Sequence, residues 1–171
     1  QVIDDAADFI VAKKWNNDDI LTYLTILLKN NPEFSSLYYG TTDNFMMNAS
    51  GWKMPPGFDL RTRPWYVKAI NSKRLVYTNA FVNASKDDII ITIAKPVYGK
   101  NGSLLGVMGG DVSLRTVLSL VQEKKIGASG FSFILDGDRN MVAHPEYKLD
   151  IRAAFPKATV EYAAIIDKMQ E

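Results

Sequence analysis

The feature that most constrains the fold is a long β-hairpin pattern over residues 87–112. The segment "DDIIITIAKPVY" is rich in β-branched residues, which favour strands, and "LLGVMGGDV" follows as its partner. Between them, "GKNGS" supplies the pair Asn101-Gly102, which is favoured in tight hairpin turns. A hairpin of this length predicts that the chain is organised around an antiparallel sheet.

The segments on either side of the hairpin complete an α+β pattern. A helix-start signal at Asn17-Asp18-Asp19 precedes apolar residues at helical spacing, and Pro64 suits the first turn of a short helix. Ser113 can cap a further helix. In chain order the predicted elements are a helix in "NNDDILTYLTILLKNN", strands in "FSSLYYG" and "FMMNAS", a helix in "RPWYVKAIN", the hairpin, a helix in "LRTVLSLVQEKK", strands in "FSFILD" and "MVAHP", and a helix in "VEYAAIIDKMQE". This order predicts an α+β fold with helices packed against one antiparallel sheet, and the last strands open a second module.

Charge balance and residue content argue against several classes of protein. The 171 residues include 20 Lys and Arg against 19 Asp and Glu, whereas nucleic-acid binding favours a basic excess. The absence of cysteine removes thiolate catalysis, Cys-ligated zinc and disulfides. No apolar run reaches the roughly 18 residues of a membrane-spanning helix, so any membrane anchor is expected outside these residues. Because the basic and acidic residues balance, we expect no nucleic-acid partner.

Residues that enzymes use are thinly represented. The one histidine, His144 in "VAHPE", stands beside a proline turn, and we interpret it as a turn or surface residue. The glycines of "GVMGGD" lie in a strand without the G-x-G-x-x-G spacing of a dinucleotide loop, so they indicate close approach of a ligand or of another strand. Asp87-Asp88 is interpreted as a solvated turn. We expect no enzymatic activity, no cofactor and no metal site.

A binding site is better supported, because "FDLRTRPWYVKAI" gathers two arginines and two aromatic residues at the start of a helix. Arg63 offers a planar guanidinium that holds a carboxylate through two parallel hydrogen bonds. Trp65 and Tyr66 supply aromatic walls with polar groups, and Asp111 ends a strand with a carboxylate that suits an ammonium group. Opposite charges around an aromatic cavity suit a zwitterion such as an amino acid. The alternative is a structural salt bridge between Arg63 and Asp111, with Trp65 in the core.

Four segments, in order, carry a resemblance to a known family: "MPPGFDLRTRPWYVKAI", "YTNAFVNAS", "IIITIAKPVYGKNGSLLGVMGGDVSL" and "KIGASGFSFILDGDRNMVAHP". The chain resembles, over roughly residues 35–145, the double Cache sensor domains of bacterial chemoreceptors, sensor histidine kinases and cyclic-dinucleotide enzymes. The resemblance implies two PAS-like modules along a long N-terminal helix, with the ligand usually in the membrane-distal module. Residues 1–16 would be the end of that helix, 17–118 the distal module, and 119–171 an incomplete start of the proximal module.

The resemblance is greatest to the amino-acid-binding branch of the family, and it implies roles for single residues. Arg63, Trp65, Tyr66 and Asp111 match the pattern of that branch. In the pattern, the arginine and tryptophan hold the ligand carboxylate, whereas a later tyrosine and the aspartate hold its amino group. Arg61 alternates away from this site and is expected to pair on the surface.

Three positions depart from the family pattern. Phe58 and Phe81 stand where tyrosines are usual, and Asn83 replaces an aspartate. A lost buried hydrogen bond costs on the order of 1 kcal/mol. The resemblance therefore implies an intact carboxylate half and an amine half that depends on Asp111, helped by Asn83.

The expected function is that of an extracytoplasmic, ligand-binding sensor domain of a membrane receptor. Among receptors, a chemoreceptor is the favoured type. The expected partner is a small carboxylate-bearing molecule, an amino acid in the first place, and a homodimer is a further expectation. The alternatives are a sensor of an amine, a purine or a plain carboxylate, or a module that binds a periplasmic protein.

Overall fold

A computed structural model describes residues 1–13, 15–123, 130–136 and 138–145. The chain divides into two compact units. Unit 1 comprises Gln1–Thr78 and Ile91–Val112, and unit 2 comprises Asn79–Ile90 and Ser113–Glu171. The helix predicted in "VEYAAIIDKMQE" lies outside the described residues.

The described elements follow the predicted order. The helices are α1 (Val2–Ala12), α2 (Asn17–Asn30), a single 3-10 turn (Leu60–Thr62), α3 (Pro64–Ser72) and α4 (Leu114–Glu123). The strands are β1 (Ser36–Thr41), β2 (Met46–Asn48), β3 (Val76–Tyr77), β4 (Phe81–Val82), β5 (Ile89–Tyr98), β6 (Leu104–Ser113), β7 (Ile134–Leu135) and β8 (Met141–Ala143). The hairpin prediction is confirmed as β5 and β6, whose turn places Gly102 at a positive φ of 80°.

Unit 1 is built on an antiparallel sheet with the strand order β2-β1-β6-β5-β3. The long strands β5 and β6 lie side by side within it, and β1 pairs with β6 in a register that sets Ser36 opposite Asp111. Helices and antiparallel strands together confirm the predicted α+β, PAS-like fold class.

The helix α2 begins one residue earlier than its sequence signal suggested. The Asn16 side chain accepts hydrogen bonds from the backbone N–H groups of Asp18 and Asp19, at 2.9 and 3.0 Å. The Asp19 side chain in turn accepts from the backbone N–H of Asn16, which completes a capping box. This start directs Ile20 and Leu24 into the core, where both are buried.

The two faces of the unit 1 sheet differ in polarity. One face packs against α1 and α2 in the main apolar core, whose buried members are Ile3, Ala6, Ala7, Ile10, Ile20, Leu24, Phe34, Leu37, Tyr39, Met47, Val97 and Met108. On the opposite face Ser36 and Tyr38 of β1 lie beside Asp111 and Gly109 of β6, because directly paired residues point to the same side. Polar side chains therefore gather on the face that α1 and α2 do not cover.

The glycines of β6 are required by aromatic and aliphatic neighbours. A Cβ atom on Gly109 would collide with the ring of Tyr38, and one on Gly110 would lie 2.7 Å from Ile3 Cδ1 and 2.8 Å from Leu37 Cδ2. The interpretation that these glycines permit close approach is confirmed, and the approaching groups belong to β1 and α1.

Unit 2 contains β4, the first two residues of β5, α4 and the β7–β8 pair. The predicted cap of α4 is confirmed, since Ser113 Oγ accepts a hydrogen bond from the Arg115 N–H at 3.2 Å. Asp88 is less solvated than predicted, because Ile89 N–H donates to its carboxylate at 2.9 Å and the Arg115 guanidinium lies 3.5 Å away.

His144 is buried, at 3% exposure, so its interpretation as a surface residue is wrong. Its ring packs edge-on against Phe131, with the ring centroids 5.0 Å apart. The histidine extends the buried run of β8 by one residue, and the strand predicted in "FSFILD" is reduced to the two residues of β7.

A candidate ligand-binding site

The carboxylate of Asp111 is held by side chains from two neighbouring parts of the unit 1 sheet. Its Oδ1 accepts hydrogen bonds from both the Tyr38 hydroxyl and the Thr92 hydroxyl, each at 2.7 Å. No hydrogen bond within the described residues engages Oδ2, and no fully buried side-chain oxygen or nitrogen among them lacks a partner. Oδ2 is therefore not completely enclosed by the described residues.

Burial dominates the electrostatics of this cluster. It raises the pKa of Asp111 to about 6, against the opposing effect of the hydrogen bonds from Thr92 and Tyr38. Burial also raises the pKa of Tyr38 well above its ordinary value, aided by the charge of Asp111, while the neighbouring Thr92 hydroxyl and the charge of Arg63 act in the opposite direction. The charges of both Asp111 and Arg63 therefore act on the Tyr38 hydroxyl.

Arg63 stands at the junction of the 3-10 turn and α3, where its backbone is extended. Its guanidinium carbon lies 5.4 Å from the centre of the Phe58 ring, and Trp52 packs edge-on against that ring at 5.2 Å. Among the described residues Arg63 forms no ion pair with a carboxylate, so the alternative of a salt bridge to Asp111 is not what the structure shows.

Trp65 and Tyr66 are both buried in the first turn of α3. The Trp65 ring packs against Tyr38 at 5.0 Å, and Gly40 leaves room for it, since a Cβ there would lie 3.1 Å from the indole. Burial is the main cause that raises the pKa of Tyr66, and the charges that act on its hydroxyl are those of Arg61, Asp59 and Asp43. Trp65 thus adjoins the Asp111 cluster, whereas the Tyr66 hydroxyl experiences a different set of charges.

The surface pairing predicted for Arg61 is confirmed. Its guanidinium donates to both carboxylate oxygens of Asp59 at 2.9 Å. Arg61 is thereby committed outside the site, and Arg63 supplies the cation of the "RTRPWY" segment.

Phe58 lies on the carboxylate-binding side of the predicted site, because it stacks on Arg63. Phe81 and Asn83 belong to unit 2, where Phe81 pairs with Ile90 across β4 and β5. The Asn83 side chain is engaged within its own turn: its oxygen accepts from the N–H groups of Asp87 and Asp88, and its amide donates to Asp87 at 2.7 Å. A ligand contact at Asn83 would have to compete with these bonds, and its predicted role stays a prediction.

Three residues of this site were missed by sequence reasoning. Tyr38 and Thr92 hold Asp111, and Asn44 holds the backbone before α3 by donating to Phe58 C=O at 3.1 Å and accepting from Leu60 N–H at 3.0 Å. The available signals were a hydroxyl residue inside the β-branched run "IIITI" and an asparagine in the turn "TTDN". Neither identifies its partner without the sheet register.

An open cleft of about 470 Å³ lies elsewhere in unit 1, between the start of α2, β2 and the loop that follows β2. Its walls are mostly apolar, with Leu21, Phe45, Met46 and Trp52 among them, and Lys53 is the one cation of its lining. The cleft contains no guanidinium, so it is a weaker match to a carboxylate site than the Arg63 region.

The strand order of the sheet, the aromatic cluster and the two charges without an ion-pair partner among the described residues are typical of one class of protein, the PAS-like ligand-binding domains. The family model described as "Cache domain" matches residues 1–162. The chain belongs to the Cache domain family, as its resemblance to double Cache domains predicted.

Bacterial chemotaxis receptors are among the relatives of this chain. The chain is 31% identical over 133 residues to the methyl-accepting chemotaxis protein PscA of Pseudomonas syringae pv. tomato, which covers 76% of this chain and 21% of that protein. It is 31% identical over 136 residues to McpB of Bacillus subtilis, covering 79% and 20%. The chain thus spans about a fifth of the length of these relatives.

Solved structures give the same picture. The ligand-binding domain of the Pseudomonas fluorescens chemoreceptor CtaA in complex with L-valine matches with a TM-score of 0.74 and 29% identity, over 85% of this chain and 64% of that one. The domain of the Pseudomonas aeruginosa amino acid chemoreceptor PctC in complex with GABA matches with a TM-score of 0.72 and 27% identity, over 85% and 65%. Within its described residues, this chain has no helix long and apolar enough to cross a bilayer.

Proposed function

We propose that this chain is the extracytoplasmic sensor domain of a transmembrane chemoreceptor, and that unit 1 binds a small α-amino acid with an apolar side chain. The observation that carries the proposal is a pair of opposite charges with uncommitted bonding capacity. Within the described residues the Arg63 guanidinium has no carboxylate partner, and Asp111 keeps Oδ2 unbonded. The chemotaxis relatives and the amino acid bound to CtaA support this choice.

The carboxylate of the ligand is assigned to Arg63. The backbone N–H groups of Trp65 and Tyr66 open α3 without an acceptor among the described residues, so the positive end of the helix adds to the field of Arg63. The ammonium group is assigned to Asp111 Oδ2. Binding then replaces the water around two charges with one paired zwitterion.

The test is calorimetry and thermal unfolding of the purified chain with the L-amino acids. A ligand that binds only the folded state adds about 2.7 kcal/mol to the free energy of unfolding at one hundred times its dissociation constant, a shift of a few degrees. We expect Arg63→Ala to abolish this shift while the domain stays folded, because it removes the carboxylate-binding cation.

Lys53→Ala is the matched control, because Lys53 is the cation of the other cleft. It should leave the dissociation constant unchanged. Normal binding by Arg63→Ala, or loss of binding by Lys53→Ala instead, would contradict the assignment of the site.

The same screen separates the remaining ligand classes. A response to plain carboxylates but not to amino acids would leave Arg63 as the only charge in use, and a response to amines or purines alone would leave Asp111. The proposal also includes a membrane anchor outside these residues, a homodimer and no enzymatic activity. These parts of it rest on the similarity to chemotaxis receptors.

A further inference from the structure

The two oxygens of the Asp111 carboxylate differ in their hydrogen bonds, because both donors reach the same oxygen. Two hydroxyl groups, from β1 and β5, both reach Oδ1, each at 2.7 Å. A carboxylate has room for about four hydrogen bonds, so a shared oxygen is a consequence of where the strands place these side chains.

We propose that Tyr38 and Thr92 are positioning residues that fix Asp111 with Oδ1 occupied and Oδ2 turned toward the ammonium group of the ligand, so that they set the preference for amino acids over plain carboxylates. This inference rests on the proposed function. Tyr38 and Thr92 contribute through Asp111 and leave the carboxylate of the ligand to Arg63.

Both donors are themselves fixed. The Tyr38 ring lies between Trp65, at 5.0 Å, and the bare backbone of Gly109, which leaves no space for a Cβ. Thr92 is fully buried, its N–H donates to the Thr78 hydroxyl at 2.9 Å, and its C=O accepts from the Thr78 N–H at 2.9 Å. Since neither hydroxyl is free to move, the torsion of the Asp111 carboxylate is fixed as well.

The hydroxyls also preserve the charge that an ammonium ligand needs. An ionised carboxylate is purely an acceptor, so two donated hydrogen bonds favour the ionised form. Burial favours the neutral form, which would offer the ligand a weaker partner. The two hydroxyls oppose that effect while leaving one oxygen for the ligand.

The experiment compares L-valine with its des-amino analogue, 3-methylbutanoate, by calorimetry at pH 7.5. We expect Tyr38→Phe to weaken the binding of L-valine about tenfold, because one donor to Oδ1 is lost. The affinity for 3-methylbutanoate should change less than about twofold. Thr92→Val should act in the same direction, and Thr92→Ser, which keeps the hydroxyl, should restore the preference.

Tyr39→Phe is the matched control, since Tyr39 is also buried but faces the opposite side of β1. It should leave both affinities unchanged. Equal weakening of both ligands by Tyr38→Phe would indicate a general structural role and overturn the inference, as would unchanged binding of L-valine.

A second readout does not depend on any ligand. The carboxyl carbon resonance of Asp111 reports its titration, and Tyr38→Phe should move that titration to higher pH. A wild-type chain that binds neither compound would refute the proposed ligand class, whereas an unshifted titration in Tyr38→Phe would refute the positioning role by itself.

Discussion

Asp111 is a carboxylate in a buried position, where ionisation is unfavourable. Its carboxylate lies at the end of β6 in surroundings that favour the neutral form, and it has no cationic partner within the described residues. A buried charge without a cationic partner lowers the stability of the folded chain. If Asp111 binds the ligand ammonium group as proposed, binding and stability place opposite demands on this residue.

Replacing Asp111 by Asn should make this opposition measurable. In the folded chain the pKa of Asp111 is raised from 3.8 to about 6, so its contribution to stability is complete below about pH 4 and is lost as the pH rises through 6. At pH 7.5 Asp111→Asn should increase the free energy of unfolding by about 2 kcal/mol, because the neutral amide avoids the burial of a charge. At pH 4.5 most of that gain should disappear.

Denaturant unfolding of both proteins at the two pH values checks this prediction, and L-valine binding should be lost in the variant. A variant that is less stable than the wild type at pH 7.5 would show that the Asp111 charge is already compensated in the free protein.

At the scale of elements, the turn between β1 and β2 controls where α3 begins. Asn44 has a positive φ of 66° and bonds the backbone on both sides of Asp59, through Phe58 and Leu60. One side chain thus ties the sheet to the segment that carries Phe58 and Arg63. Helix propensity and Pro64 define the helix itself, but this tie defines its position.

Substitutions at Asn44 should separate the backbone effect from the hydrogen bonds. Asn44→Ala loses both bonds and keeps a strained φ, whereas Asn44→Gly loses the bonds and accepts the φ without strain. We expect Asn44→Ala to lower the free energy of unfolding by about 2 to 3 kcal/mol and Asn44→Gly by about 1 kcal/mol less. Both variants should bind L-valine more weakly. Unfolding curves and calorimetry provide the check, and equal stability of the two variants would exclude the contribution of φ.

At the scale of the whole molecule, the sequence predicted what depends on local pattern. The β-branched run, the Asn101-Gly102 turn and Pro64 predicted the hairpin and α3, and the family resemblance proposed Arg63 and Asp111 as ligand-binding residues. The sequence did not predict the hydrogen bonds from Tyr38 and Thr92 to Asp111, because those bonds join residues 73 and 19 positions apart. Such contacts follow from strand order and register, which a single sequence does not specify.

The change from tyrosine to Phe58 shows the same limit. The resemblance assigned its missing hydroxyl to the ammonium side, whereas the ring lies against Arg63 and is packed by Trp52. A position in a motif gives the residue type but not the neighbour on which it acts. The effect of this substitution on ligand choice should therefore be sought at the carboxylate end.

The bare backbone of Gly110 has a mechanical consequence. Asp111 and Gly110 are consecutive in β6, and they face opposite sides of the sheet, one toward the proposed ligand and the other toward Ile3 of α1. No side chain of β6 lies between the Gly110 backbone and the Ile3 side chain, so a shift of the strand acts directly on Ile3. Occupancy by an amino acid should reach α1 as a displacement, which hydrogen exchange of the α1 amides with and without L-valine would detect. Unchanged exchange in α1 at saturation would contradict transmission through Gly110, and a change would support it.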